Sequence, residues 1–147
     1  MLFVPADSER KLAKSVASNA DALILDLEDS VSDARKQIAR GMAAEFIAAN
    51  SAKLSAKLFV RINPLDSAFA MADLAAVVAP GLAGIVCPKP RGAAEIVRLG
   101  HGLDALEARA GLTPGSLRIV PVATETPEAM LTQCTALPRR LCHALPA

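Results

Sequence analysis

Five short apolar runs recur along the chain, Leu2 to Val4, Ala22 to Leu27, Leu58 to Ile62, Leu82 to Cys87 and Leu117 to Ala123, with segments of helical period between them. Each run is short and predominantly apolar, which reads as a strand, the Ala22 run as one buried on both faces, so the pattern is βαβαβαβαβ. Right-handed crossovers between such strands give a parallel sheet, either open and doubly wound or closed into an eight-stranded barrel. Five units fit a compact open sheet by count, whereas a barrel takes about 250 residues and this chain has 147. The helical segments predict inward stripes. The first opens at Ser8 and sets Leu12 and Val16 one turn apart; the second follows Ser32 as N-cap and aligns Ile38, Met42 and Phe46. The third turns Ala70, Leu74 and Val77 or Val78 inward. The fourth uses Ile96, Leu99, Leu103 and Leu106 and ends at Gly111.

Composition narrows the function classes. Hydrophobic residues make up 52% of the chain, which places it among globular proteins. A net charge of +1, four Phe and no Trp or Tyr leave neither a basic face nor stacking platforms, so no nucleic acid is expected as a partner. Cys87, Cys134 and Cys142 are odd in number and lack a CxxC spacing. They fit a reducing compartment, hence a cytoplasmic chain, better than a disulfide scaffold or a zinc site. The N-terminal apolar stretch is too short for a signal peptide, and no run approaches a membrane span, so no membrane is expected either. His101 and His143 read as surface residues. Neither a glycine-rich phosphate loop nor a Gly-x-Ser-x-Gly elbow is present.

Chemistry concentrates where the predicted strands end. The run Ala22–Val31 (ALILDLEDSV) closes on Asp26, Glu28 and Asp29, at the C-terminal end where parallel α/β folds gather their loops around one crevice. Three packed acids repel one another unless a cation, a proton or a basic side chain offsets them, and magnesium is the obvious partner. Alternatively Asp29 or Ser30 merely caps the next helix. Arg61 interrupts an otherwise apolar strand just before Pro64. A guanidinium cannot shed its charge, so it needs a bound carboxylate or phosphate, or else an internal acid from the neighbouring strand. Glu125 ends the last apolar run before Pro127, where it is either functional or a favourable charge at a helix start. Lys89, in Cys87-Pro88-Lys89-Pro90, reads first as solvated or ion-paired.

The string LFVPADSERKLAKSVASNADALILDLEDSV, followed in order by VRINP, GIVCPKP and VPVATETPEAM, resembles the citrate lyase beta-subunit-like branch of the HpcH/HpaI aldolase family. The resemblance runs from Leu2 to about Met130. It implies an α/β fold of parallel βα units of a TIM barrel, incomplete in this chain: a partial lyase domain over 1–130 and a divergent tail over 131–147. It implies a magnesium-dependent carbon–carbon lyase acting on a 3-hydroxyacyl-CoA or related hydroxy acid of citryl, malyl or citramalyl type, in a homo-oligomer, a trimer or hexamer. Carried over by position, Glu125 matches the metal-ligand glutamate, Arg61 the arginine that grips a carboxylate or keto acid, and Asp26, Glu28 and Asp29 the acidic strand-end cluster. In related aldolases a histidine stands about where Asp29 is. The family's second metal ligand lies in a Trp-Gly-x-Glu-Asp segment, and this chain has no Trp. The expectation is therefore a truncated or frame-shifted member. The alternative is a catalytically dead fragment that works only through association with another chain. A signalling receiver also has five βα units with carboxylates and a lysine, but it needs acids after the first strand and a phospho-acceptor after the third. Pro5-Ala6-Asp7 and Arg61 occupy those places.

Overall fold

A computed structural model describes residues 1–122 of the protein. In chain order these form β1 (Leu2–Pro5), α1 (Glu9–Ser15), β2 (Ala22–Asp26), a 3-10 turn (Asp33–Arg35), α2 (Lys36–Asn50), β3 (Lys57–Arg61), α3 (Ala70–Val77), β4 (Leu82–Cys87), α4 (Ala93–Arg109) and β5 (Arg118–Pro121). All neighbouring strands pair in parallel, and their spatial order is β1-β2-β3-β4-β5. A doubly wound sheet reverses its order at a switch point; here spatial order follows chain order, so every crossover winds the same way. That is the winding of a βα barrel, which decides between the two sheets the sequence allows.

The pleat divides each strand between two faces. Leu23, Leu25, Leu58, Val60, Ile85, Cys87 and Ile119 join one core with helix residues including Leu12, Phe46, Ile47, Leu74, Leu99 and Leu103. Ala22, Ile24, Phe59 and Val86 form a second, smaller cluster. There the Phe59 ring lies against the β4 backbone. A Cβ on Gly84 would meet the Phe59 ring at 2.9 Å and the Arg118 carbonyl oxygen at 2.4 Å, so only glycine permits the approach. Burying such a ring contributes about 2–3 kcal/mol.

The third and fourth helices present the expected faces: Ala70, Leu74, Val77, Val78, Ile96, Leu99 and Leu103 are buried, with Leu106 half-buried. Gly111 follows α4 at φ 73°. Its N–H donates to the Ala108 carbonyl and that of Leu112 to the Glu107 carbonyl, the paired bonds of a left-handed helix stop. Two predicted stripes need correction. Val16 lies just past α1 and is exposed, while Ser15 turns inward and donates its hydroxyl to the Leu12 carbonyl at 2.7 Å. Ile38 is also exposed. The 3-10 turn after Ser32 delays α2 to Lys36, and Ile38 and Phe46, eight residues apart, are rotated by roughly 80° at 3.6 residues per turn. Phe46 is buried and Met42 packs half-buried against the core as expected, and Ala39, Ala43 and Ile47 take the rest of the inward face in place of Ile38. His101 is exposed, as predicted. No helix among the described residues is long and apolar enough to cross a membrane.

Candidate functional site

Asp26 and Arg61 are register partners on β2 and β3, at the C-terminal ends of both strands. Arg61 donates from Nε to Asp26 Oδ1 at 2.8 Å and from Nη2 to Oδ2 at 2.7 Å, a two-point grip that fixes the guanidinium plane. The same carboxylate accepts the backbone N–H of Glu28 at 2.9 Å and of Ser30 at 3.3 Å, and so shapes the turn that carries the other two acids. The remaining arm, Arg61 Nη1, lies 3.0 Å from Glu28 Oε2 and 3.5 Å from Asp29 Oδ2. Beneath it the Phe3 ring sits 5.0 Å from the guanidinium carbon.

The third strand end supplies a second cation. Lys89 Nζ lies 2.7 Å from Glu28 Oε1 and 3.2 Å from Asp29 Oδ1. Lys89 has φ 47°, a left-handed conformation uncommon outside glycine, and it is held between Pro88 and Pro90. The residue with the weakest sequence signal is thus an integral member of the cluster, in its ion-paired reading. Arg61 likewise shows the internal partner weighed in the sequence. The three acids, for which magnesium is the expected partner, are met here by two cations of the chain itself.

The two buried acids differ electrically. Burial pushes the Asp26 carboxyl up, but the hydrogen bonds from Arg61, Ser30 and Glu28 outweigh it and hold the group below its ordinary range. For Glu28 burial wins over the pull of Lys89 and Arg61, and its carboxyl is raised. Glu28 Oε2 is buried and has no hydrogen bond, although the Nη1 arm of the Arg61 guanidinium faces it. That oxygen has a charge partner but no hydrogen bond, and a carboxylate oxygen of this kind suits a hard divalent ion if Arg61 Nη1 gives way. Among the described residues no group of three His, Cys, Asp or Glu could enclose a metal. Glu125, the expected metal ligand, lies outside the described residues, as do Cys134, Cys142 and His143. Cys87 is buried and its thiol is pushed up to about 12, chiefly by burial, which leaves it unreactive.

Beneath the acids lies a polar layer that the sequence reading missed. Lys36, at the start of α2, donates from Nζ to the carbonyls of Leu27 at 2.9 Å and Glu28 at 2.8 Å. Asn63 Nδ2 reaches the Leu27 carbonyl at 3.0 Å and Asp73 Oδ2 at 2.7 Å, and Arg40 Nε donates to Asp73 Oδ1 at 2.7 Å. A lysine in the first turn of a helix opposes the macrodipole, which was the one available signal. At the rim, Arg35 grips Asp7 through its carboxylate and its carbonyl, both at 2.8 Å, tying the loop after β1 to the start of α2.

The profile of the HpcH/HpaI aldolase/citrate lyase family matches residues 1–133. The citrate lyase subunit beta of Haemophilus influenzae is 33% identical over 127 residues, covering 86% of this chain and 43% of the relative. That of Escherichia coli K12 is 34% identical, with 86% and 41% covered. Among solved structures, the CitE protein of Mycobacterium tuberculosis in complex with magnesium and pyruvate superposes with a TM-score of 0.67 at 27% identity, over 90% of this chain and 46% of that one. A Haloferax volcanii malate synthase, at 18% identity and a TM-score of 0.79 over 90% of this chain and 42% of that one, shares the fold. The chain thus spans about two-fifths of the length of the relatives it matches.

Proposed function

The chain belongs to the HpcH/HpaI aldolase/citrate lyase family, and from that premise we propose that its strand-end cluster serves a magnesium-dependent carbon–carbon lyase of the citrate lyase beta type. The substrate class is a 3-hydroxyacyl thioester or related hydroxy acid of citryl, malyl or citramalyl type, split into an acyl thioester and a keto acid. The observation that carries this reading is the pairing of the Arg61 Nη1 arm with the unbonded Glu28 Oε2, 3.0 Å apart at the crevice. Asp26 holds the other edge of the guanidinium, and Lys89 is placed to retain Glu28 and Asp29 when Nη1 turns to an incoming carboxylate. Glu28, with its raised carboxyl, suits proton transfer near neutral pH better than Asp26 does. In the cleavage the substrate hydroxyl gives up its proton to such a base and its oxygen closes to a carbonyl. The carbon–carbon bond breaks, and its electron pair passes to the α-carbon of the thioester as an enolate, which then takes a proton.

Magnesium, when bound, supplies a positive charge against the negative charge developing on oxygen. Glu125 is its proposed ligand, and Glu28 Oε2 is the described oxygen that suits it. The proposed location is the cytoplasm and the proposed assembly a homo-oligomer. A second reading, a chain that works only when joined to another, is favoured by Met1, Leu2 and Phe3, which are exposed on or beside β1, an edge strand among the described residues.

Pyruvate titrated calorimetrically into the protein with magnesium present tests the first reading. Saturable binding is expected, weakened about tenfold or more in Arg61→Ala because a charge-assisted hydrogen bond is lost, and only partly restored in Arg61→Lys. Absence of binding by pyruvate and by oxaloacetate overturns it.

A further inference from the structure

We infer that Lys36 is a positioning residue: its buried ammonium clamps the backbone carbonyls of Leu27 and Glu28 and so fixes where the Glu28 carboxylate points. The inference deepens the proposed function and rests on that reading for its consequence in binding. Lys36 is 5% exposed, and both of its hydrogen bonds go to neutral carbonyl oxygens of the acid-bearing turn, at 2.9 and 2.8 Å. Burying an ammonium there is unfavourable, and its place in the first turn of α2 adds a repulsion from the helix dipole. A residue disfavoured twice by local physics, yet aimed at two consecutive carbonyls of the site, has a use beyond stability.

The surrounding layer gives the clamp a rigid base. The Leu27 carbonyl is gripped a second time by Asn63 Nδ2, whose own position is set by Asp73 Oδ2, which also accepts the Asn63 N–H at 2.9 Å. Asp73 is fully buried and is held from α2 by Arg40. The Phe69 ring lies 5.9 Å from Lys36 Nζ and 5.7 Å from the Arg40 guanidinium carbon, covering both cations. Four elements, the turn after β2, α2, the end of β3 and α3, thereby meet beneath Glu28. The Glu28 carbonyl that Lys36 holds also accepts the Val31 N–H at 3.1 Å, which closes the turn. Lys36 touches no reacting atom; it acts through Glu28.

Lys36→Met keeps the apolar stem and removes the ammonium, so the clamp is separable from the core. Amide hydrogen exchange is expected to rise about tenfold or more at Glu28, Ser30 and Val31, with the β2 and β4 amides of Leu25 and Ile85 unchanged. Global stability should hold or increase, since a buried charge is gone. Pyruvate affinity should fall, and Lys36→Arg should restore part of both losses. In the wild-type protein a lysine-selective 1H–15N spectrum should show the Lys36 ammonium exchanging far more slowly than that of exposed Lys11. Unchanged protection of the turn in folded Lys36→Met overturns the inference, and so does a Lys36 ammonium that exchanges like Lys11, which decides the matter even if the variant does not fold. A wild-type protein that binds no pyruvate but whose turn loosens in Lys36→Met overturns the proposed function and upholds the clamp.

Discussion

Two buried glutamates at opposite ends of the barrel segment do different work. Glu107, in the last turn of α4 at the end where strands begin, is fully buried, and both its oxygens are taken. Oε1 accepts the Leu117 N–H at 2.6 Å and the Ser116 hydroxyl at 3.2 Å, and Oε2 accepts the Gly115 N–H at 2.8 Å. Glu28, at the end where strands finish, is buried almost as deeply, yet Oε2 has no hydrogen bond and its nearest charges come from two other strands. Burial of a carboxylate is therefore not the mark of function. Satisfaction separates them: the acid with both oxygens hydrogen-bonded, by two backbone N–H groups and a serine hydroxyl, ties a loop to a strand, and the one with an oxygen free of hydrogen bonds is the one proposed to exchange partners. The division matches the general behaviour of βα barrels, where the strand-start face stabilises and the strand-end face reacts.

The comparison breaks first at Glu107. Glu107→Ala strips three donors of their shared charged acceptor, the buried Leu117 N–H among them, so a loss of about 3–5 kcal/mol is expected in urea denaturation. Glu107→Gln keeps one oxygen but turns an amide toward N–H donors, and should cost about half as much. A cost for Glu107→Ala below about 1 kcal/mol would show that its hydrogen bonds are no more valuable than the open ones of Glu28. Asp26→Asn comes next. It leaves Arg61, whose side chain is 14% exposed, with a neutral partner at its two-point edge, for an expected loss of about 3 kcal/mol at pH 7. Asp26 has a depressed carboxyl, so its contribution is full above 3.8, the ordinary value, and disappears as pH falls through the lower folded value. The gap between wild type and Asp26→Asn should close on acidification over that window. A gap that is constant with pH would assign the loss to the turn hydrogen bonds of Glu28 and Ser30 alone.

Much of this was legible in the residues. The spacing of apolar runs gave strands within a residue or two of those observed, although only the inner strands are buried on both faces: Leu2 and Phe3 of β1 and Arg118 of β5 are exposed. The acids and Arg61 could be placed at strand ends because loops follow strands at fixed points in such a pattern. What failed was phase. Ile38 looked inward because residues four apart were taken as one stripe, and over the eight residues from Ile38 to Phe46 such a stripe drifts by roughly 80° around the helix. The choice between an open sheet and a barrel was also closed to composition, since it depends on strand order, a property of long-range pairing. Lys89 was undervalued because its role depends on a left-handed backbone that brings its ammonium back across the crevice. Lys36 went unnoticed since its partners are carbonyl oxygens, which every residue has and no side-chain motif reports.

The smallest effect, and the sharpest test of the contrast, belongs to Glu28→Gln. The carboxyl of Glu28 is raised, mainly by burial, so ionising it works against the fold. That cost is absent below 4.5, the ordinary glutamate value, and grows as pH rises through the higher folded value. The neutral variant escapes it. What it loses is the charge of two pairings: with Lys89, whose side chain is 40% exposed, a kind of pair worth at most about 1 kcal/mol, and with the Arg61 Nη1 arm, whose guanidinium keeps its two-point grip on Asp26. The two effects oppose each other, and the expected change at pH 7 is within about 1 kcal/mol, with Glu28→Gln gaining on the wild type as pH rises from 4.5 toward neutrality. Proton-transfer function should fall steeply in the same variant, because an amide cannot accept the proton that the carboxylate would. An acid that costs little or nothing to neutralise in the fold while serving as the proposed base would be the opposite of Glu107. A destabilisation by Glu28→Gln as large as that of Glu107→Ala would show instead that both carboxylates are structural, and would move the search for the base to Asp29, the exposed member of the cluster.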